Sequence, residues 1–194
     1  MHKLTSYEIQ QQRQTEAEAI GSEKRLPIIA ILEDIRSLYN VGSIFRTSDG
    51  AHLEAIYTVG YTPHPPRKEI EKTALGADRT VPHQHFSTIE EAVAAALNYH
   101  PPAPSGSAAL RRRGSTMLAA LEITSNSRSI FEMRQADFPL ALIVGNEITG
   151  VSDTALSLCD FTLEIPMLGV KHSLNVAVAY GIAVFECVRV LQHV

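Results

Sequence analysis

Two runs in this 194-residue chain, Ile28-Ile29-Ala30-Ile31-Leu32 and Leu140-Ala141-Leu142-Ile143-Val144, go five positions without a polar side chain. A strand with one face in water alternates apolar and polar residues. An unbroken apolar run of strand length fits a strand covered on both faces, as in a parallel sheet with helices on either side. Further strands are expected at Ala55–Val59, ended by Gly60, at Met117–Ile123 and at Phe161–Ile165. Helices fall between them. Asn40 serves as an N-cap for one that runs through Ile44 and Phe45 to about Asp49, with Gly50 as its stop. Ser87-Thr88-Ile89-Glu90 reads as a capping box opening a helix to about Leu97, Ser152–Leu158 as another, and a last one begins at Ser173 and runs nearly to the end. Strands alternating with helices give an α/β fold with a mostly parallel sheet flanked by helices.

The rest of the chain qualifies that plan. Residues 1–25 form a polar arm, with at most a helix from Ser6 to about Ile20 that has little apolar face. Residues 26–194 read as one domain. Pro63, Pro65 and Pro66 make a loop, and the Pro-rich stretch 100–114, which contains Arg111-Arg112-Arg113, is too short to separate two domains and reads as an insertion.

A hydrophobic share of 45% with 20% charged residues describes a folded chain rather than a disordered one. The net charge of −4 means that nucleic acid, if bound, must be met by a local basic patch. Candidate patches are Lys24-Arg25, Arg67-Lys68, the triple arginine and Lys171. The two cysteines, Cys159 and Cys187, make no disulfide framework. No signal-peptide pattern opens the chain, and the uncharged run Leu174–Phe185 is too short to cross a bilayer. A soluble cytoplasmic protein is expected, with no membrane partner. That same run is apolar all round, so it lies either in the middle of the monomer or at a subunit interface. The interface, and hence a homodimer, is the expectation taken forward.

Polar residues gather where strands end or helices begin, the place α/β folds keep for ligands. The segments are Asn40-x-Gly42-x3-Arg46-Thr47, Gly145-x-Glu147-x2-Gly150, and Ile165-Pro166-Met167 leading to Ser173-Leu174-Asn175-Val176. In this order they resemble the three signature motifs of the SpoU (TrmH-type) RNA 2′-O-methyltransferases of the SPOUT superfamily, and Lys72-Thr73-Ala74-Leu75-Gly76-Ala77 resembles a further shared stretch. The likeness extends from about Pro27 to Leu191.

The resemblance implies a deep trefoil knot in the C-terminal part, a homodimer joined through that helix and the knot, and S-adenosylmethionine as methyl donor. The donor would contact Leu121, Gly145, Ile165, Met167, Leu168, Ser173 and Leu174. Apolar walls with backbone donors suit an adenine ring, and glycine at 145 lets backbone come close to a ligand. Arg46, Asn40, Glu147, Ser173 and Asn175 would form the catalytic set.

Family proposals often make the arginine a base for the ribose hydroxyl. A guanidinium holds its proton with a pKa above ~12, so gripping a phosphate and stabilising the developing alkoxide is the more economical role. Arg46, Arg67 and Lys68 are the expected RNA contacts. Methyl transfer from sulfonium to oxygen needs no metal, and His83-Gln84-His85, two histidines with no third ligand, does not argue for one. The substrate expected is tRNA, with rRNA as the alternative and a catalytically idle RNA-binding dimer as a rival.

Overall fold

A computed structural model describes residues 3–5, 8, 11, 25–99 and 116–192. Seven strands are described: β1 (Leu26–Glu33), β2 (Leu53–Val59), β3 (His83–Phe86), β4 (Met117–Leu121), β5 (Arg128–Ser129), β6 (Leu140–Val144) and β7 (Phe161–Glu164). They form one sheet in the order β3-β2-β1-β6-β4-β7-β5, with every neighbouring pair parallel. Its helices are α1 (Leu38–Gly50), α2 (Lys68–Ala74), α3 (Ala77–Thr80), α4 (Ile89–Leu97), α5 (Asp153–Leu158) and α6 (Val176–Gln192).

The apolar run of β1 feeds both layers because successive side chains point to opposite faces. Ile28, Ala30 and Leu32 pack with Ile44 and Phe45 of α1 and with Tyr180 and Val184 of α6. Ile29 and Ile31 pack with Ala92 and Val93 of α4 and Ala155 of α5. Removing each such Ile or Leu from water stabilises the fold by roughly 1.5–3 kcal/mol. β6, buried along its whole length, is held the same way.

Helix α6 is tied to α1 by a polar contact inside this core. The buried Tyr180 hydroxyl lies 2.6 Å from Ser48 Oγ, which donates to the Ile44 carbonyl at 2.8 Å. Gly181 stands beside Thr47. The rest of α6 differs by side: Ala183, Val184 and Cys187 are buried, while Val178, Ile182 and Phe185 are exposed. The uncharged run is therefore half inside the monomer and half uncovered.

Several local expectations shift. Ser37, not Asn40, caps α1, its hydroxyl accepting from the Asn40 N–H at 3.3 Å, so Asn40 lies inside the first turn with its side chain free for other work. The left-handed stop of α1 falls at His52 (φ 54°), not at Gly50. The capping box moves by one residue, to Thr88 and Glu91. The loop expected after Pro63 gives way to α2, with Arg67 at its N-cap and Lys68 its first residue. The last helix starts at Val176 because the Asn175 side chain takes the N–H of Ala177 at 2.9 Å, which leaves Ser173 outside the helix. β4 stops at Leu121 and β7 at Glu164.

Of the expected arm helix, Glu8 and Gln11 are helical and the remainder lies outside the described residues, as do Lys24 and the loop at 100–114. No helix among the described residues is long and apolar enough to cross a membrane.

Candidate active site

The loops after β4, β6 and β7 and the segment leading into α6 enclose a cleft of about 530 Å³. Leu121, Gly145, Glu147, Ile165, Met167, Ser173 and Leu174 all line it, so residues from four distant segments meet in one space. Leu168 does not: its side chain is fully exposed. The segment from Pro166 to Asn175 is half-buried or exposed throughout, forming the open side of the cleft.

The floor is the Gly145–Gly150 loop, and its shape follows from two small residues and one amide. Asn146 and Gly150 exchange N–H···O bonds at 3.0 Å, closing the loop on itself. A Cβ on Gly145 would run into the backbone of Gly150 and Val151, so the loop's own closure requires the glycine. Asn146 was not anticipated from the sequence, yet it organises the turn. Its Oδ1 accepts from Ile148 and Thr149 N–H at 2.8 and 3.1 Å, and its Nδ2 donates to the Asp34 carbonyl and to the Tyr61 hydroxyl at 2.8 and 2.6 Å. Its position beside Glu147 in the motif was the available signal. Glu122, also missed, accepts the Val151 N–H at 2.9 Å and pins the far end of the loop.

Glu147 is bonded to the start of α1. Its carboxylate accepts from the Arg36 and Ser37 backbone N–H groups at 3.0 and 3.2 Å and from Asn40 Nδ2 at 2.8 Å. Asn40 Oδ1 in turn accepts from Asn175 Nδ2 at 3.2 Å. One residue from each of the three motif segments thus forms a continuous chain. Gly42 secures the helix that carries Asn40, since any Cβ there would strike Thr73 and the Ile70 carbonyl of α2.

Partial burial raises the Glu147 carboxyl, but the bonds from Arg36, Asn40, its own backbone and Ser37 outweigh it and leave the pKa below the ordinary 4.5. The carboxylate therefore contributes stability above about pH 4.5, which is lost as the pH falls through its lower folded value. Glu147→Gln is expected to melt about 2–4 °C below the wild type at pH 7, with the gap closing under acid conditions. A gap that stays constant from about pH 7 to about pH 3.5 in thermal melts would contradict this account.

Arg46 lies apart from the chain of contacts. It is exposed on α1 and does not line the cleft. At about 100° per residue it falls on the side of α1 that carries the exposed Tyr39, not the side of Asn40. Arg67 and Lys68 are exposed beside a second cleft, and Lys171 is exposed. Arg25 is not available in the same way: its guanidinium donates to the carbonyls of Leu53 and Thr80 at 2.9 and 2.8 Å. His83 packs edge-on against Phe45, and His85 lies against Thr58 and His64. No group of three or more potential metal ligands occurs among the described residues.

Comparison with known proteins gives a consistent result. A family model described as the SpoU rRNA Methylase family matches residues 27–185. A tRNA (guanosine(18)-2′-O)-methyltransferase of Escherichia coli is 29% identical over 173 residues, 88% of this chain and 67% of that protein. The protein of the same name from Thermus thermophilus is 28% identical, over 91% of this chain and 82% of its own. An AdoMet-bound rRNA methyltransferase from Sinorhizobium meliloti superposes with a TM-score of 0.71 at 25% identity, covering 85% of this chain and 57% of that structure. The A. aeolicus TrmH/SpoU tRNA modifying enzyme shares the fold, with a TM-score of 0.73 at 23% identity over 95% of this chain and 85% of that one.

Proposed function

The chain belongs to the SpoU (TrmH-type) family of S-adenosylmethionine-dependent RNA 2′-O-methyltransferases in the SPOUT superfamily, and on that premise we propose that it methylates a ribose 2′-hydroxyl of tRNA as a cytoplasmic homodimer. The observation that carries the site is the chain Asn175–Asn40–Glu147 at the lip of a cleft walled by Leu121, Ile165, Met167 and Leu174. Its volume is in the range of cofactor sites, and apolar walls beside loop backbone fit a nucleoside. These residues, with Gly145 and Ser173, would hold the donor; Leu168 would contact it only if its segment closed over the cleft.

The bound donor supplies an electrophilic methyl on sulfur. The protein's own task is alignment of the acceptor oxygen and stabilisation of its developing charge. Asn40 and Asn175 stand where they can orient a ribose or phosphate, and Glu147 holds Asn40 in place. Arg46 would grip the phosphate and the incipient alkoxide. Because it sits outside the cleft of its own protomer, its participation calls for a second copy. The uncovered stripe Leu174, Val178, Ile182 and Phe185 supports pairing through α6, alongside the surface that carries Arg46.

The strand order supports the knot. β7 inserts between β4 and β5 although it follows both in sequence, and β6 inserts between β1 and β4. A C-terminal segment threaded through the earlier loops, against the usual rule for chain connections, accommodates that order. Burial pushes the Cys159 and Cys187 thiols each up to about 12, so neither is a ready nucleophile.

Favouring tRNA are the Escherichia coli and Thermus thermophilus relatives, both named as tRNA methyltransferases; the AdoMet-bound neighbour, named as an rRNA methyltransferase, keeps rRNA as the second reading. Incubation with tritiated S-adenosylmethionine and either total tRNA or rRNA, followed by nucleoside analysis, distinguishes them. Label is expected in 2′-O-methylnucleosides of tRNA. Label only in rRNA selects the alternative, and none in either selects the idle dimer.

A further inference from the structure

A second cleft, of about 330 Å³, opens beside the first at the C-terminal ends of β1 and β2, and its chemistry is different. Arg36, Tyr61, His64, Arg67 and His85 line it, with no carboxylate among its described walls. Neither arginine side chain is in an ion pair among the described residues. The imidazoles of His64 and His85 stack with centroids 4.3 Å apart, and His85 Nδ1 lies 3.1 Å from the buried Thr58 hydroxyl, which fixes the outer ring. Tyr61 is 60% exposed, an unusual state for an aromatic ring whose hydroxyl is already held.

The two clefts share a wall. Glu147 of the donor cleft accepts the backbone N–H of Arg36, and Asn146 donates to Tyr61 Oη. What occupies the second cleft is thus positioned relative to the first.

Two free guanidinium groups select for a phosphate, and the exposed Tyr61 ring with the half-buried His64 ring beside it selects for an unpaired base. Inorganic phosphate would use the arginines alone and leave the rings idle. We infer that this cleft seats a nucleotide of the RNA strand adjoining the one that is methylated, its phosphate between Arg36 and Arg67 and its unpaired base against Tyr61 and His64. Burial first, then the nearby His85, lowers the His64 pKa, so at neutral pH it offers a stacking face rather than a fixed charge. The inference rests on the RNA-methyltransferase reading and adds to it a place where the strand beside the target is read.

The test is tRNA binding by fluorescence anisotropy, with S-adenosylhomocysteine binding followed in parallel by calorimetry. The double variant Arg36→Ala/Arg67→Ala keeps the backbone N–H that Glu147 needs. It should bind tRNA at least about tenfold more weakly, with a salt dependence shallower by about one in log–log slope. Tyr61→Leu should bind at least about fivefold more weakly than Tyr61→Phe. Both lose the bond to Asn146, so their difference isolates the ring. Cofactor-product affinity should stay within about twofold in all three. Wild-type-like tRNA affinity in the double variant, equal affinities of the two Tyr61 variants, or loss of cofactor-product binding would each overturn the inference. If the wild type methylates tRNA while the variants match it, this inference alone falls; if the wild type binds no RNA, the methyltransferase reading falls with it.

Discussion

Replacing Arg46 with alanine is expected to lower methyl transfer by at least about 10³-fold while S-adenosylhomocysteine still binds within about twofold of wild type. The size follows from the charge that appears on the acceptor oxygen as its proton leaves. A prepositioned cationic donor at such a charge contributes on the order of 10²–10³ in rate, and a phosphate grip lost with it adds to the deficit. The preserved affinity follows from geometry, because Arg46 is exposed on α1 and takes no part in the cleft lined by Leu121, Ile165 and Met167. Calorimetry together with a methyl-transfer assay reads both quantities. A variant that retains a tenth of the wild-type rate would remove Arg46 from the mechanism, and one that loses product binding would mean that the arginine holds the cofactor instead.

The second large effect concerns α6. Ile182→Asp/Phe185→Asp should convert the proposed dimer into monomers and abolish methyl transfer. Both side chains are on the outer face of the helix, away from Ala183, Val184 and Cys187, so the fold should melt within a few degrees of wild type. Two carboxylates per protomer in an apolar contact would be desolvated without partners, which no dimer of ordinary size tolerates. On the proposed shared site, inactivity follows because Arg46 does not line the cleft of its own subunit and would have to come from a second copy. Light scattering and the methyl assay test the pair of claims. A fully active monomer would sink the shared-site account, and a wild type that is monomeric at micromolar concentration would sink the dimer itself.

Much of the sheet was legible in the chain, for a physical reason. Ile28–Leu32 and Leu140–Val144 are covered on both faces, so their signal is continuous and needs no register to interpret. Elements fixed by tertiary contact were less visible. α2 is polar on its outer side and follows three prolines, and only Ile70 and Ala74 reach the core. Overlapping caps misled in the same way: Ser37 and Asn40 are both good N-caps, as are Ser87 and Thr88. The choice between them is made by what lies opposite. Glu147 draws the Asn40 side chain away from its own helix end, an interaction across 107 residues that no local pattern contains.

Motif spacing marked out most of the candidate donor cleft, yet Asn146, Glu122 and the second cleft went unread. Asn146 is an ordinary polar residue until its four bonds are seen together. Leu168 was placed against the donor by its position in the motif, whereas its side chain faces water.

The strand order also governs how this domain can be born. β1 and β4 never pair with each other, and the space between them is filled by β6, which the ribosome makes later. β4 and β5 likewise wait for β7. A nascent chain that ends before β6 can pair β1, β2 and β3, but its two seams, between β1 and β4 and between β4 and β5, stay unfilled. The apolar edges of β1 and β4 at those seams are covered only when β6 and β7 emerge, so completing the sheet depends on late pairings between strands far apart in sequence, the kind that form slowly and leave strand edges open to aggregation.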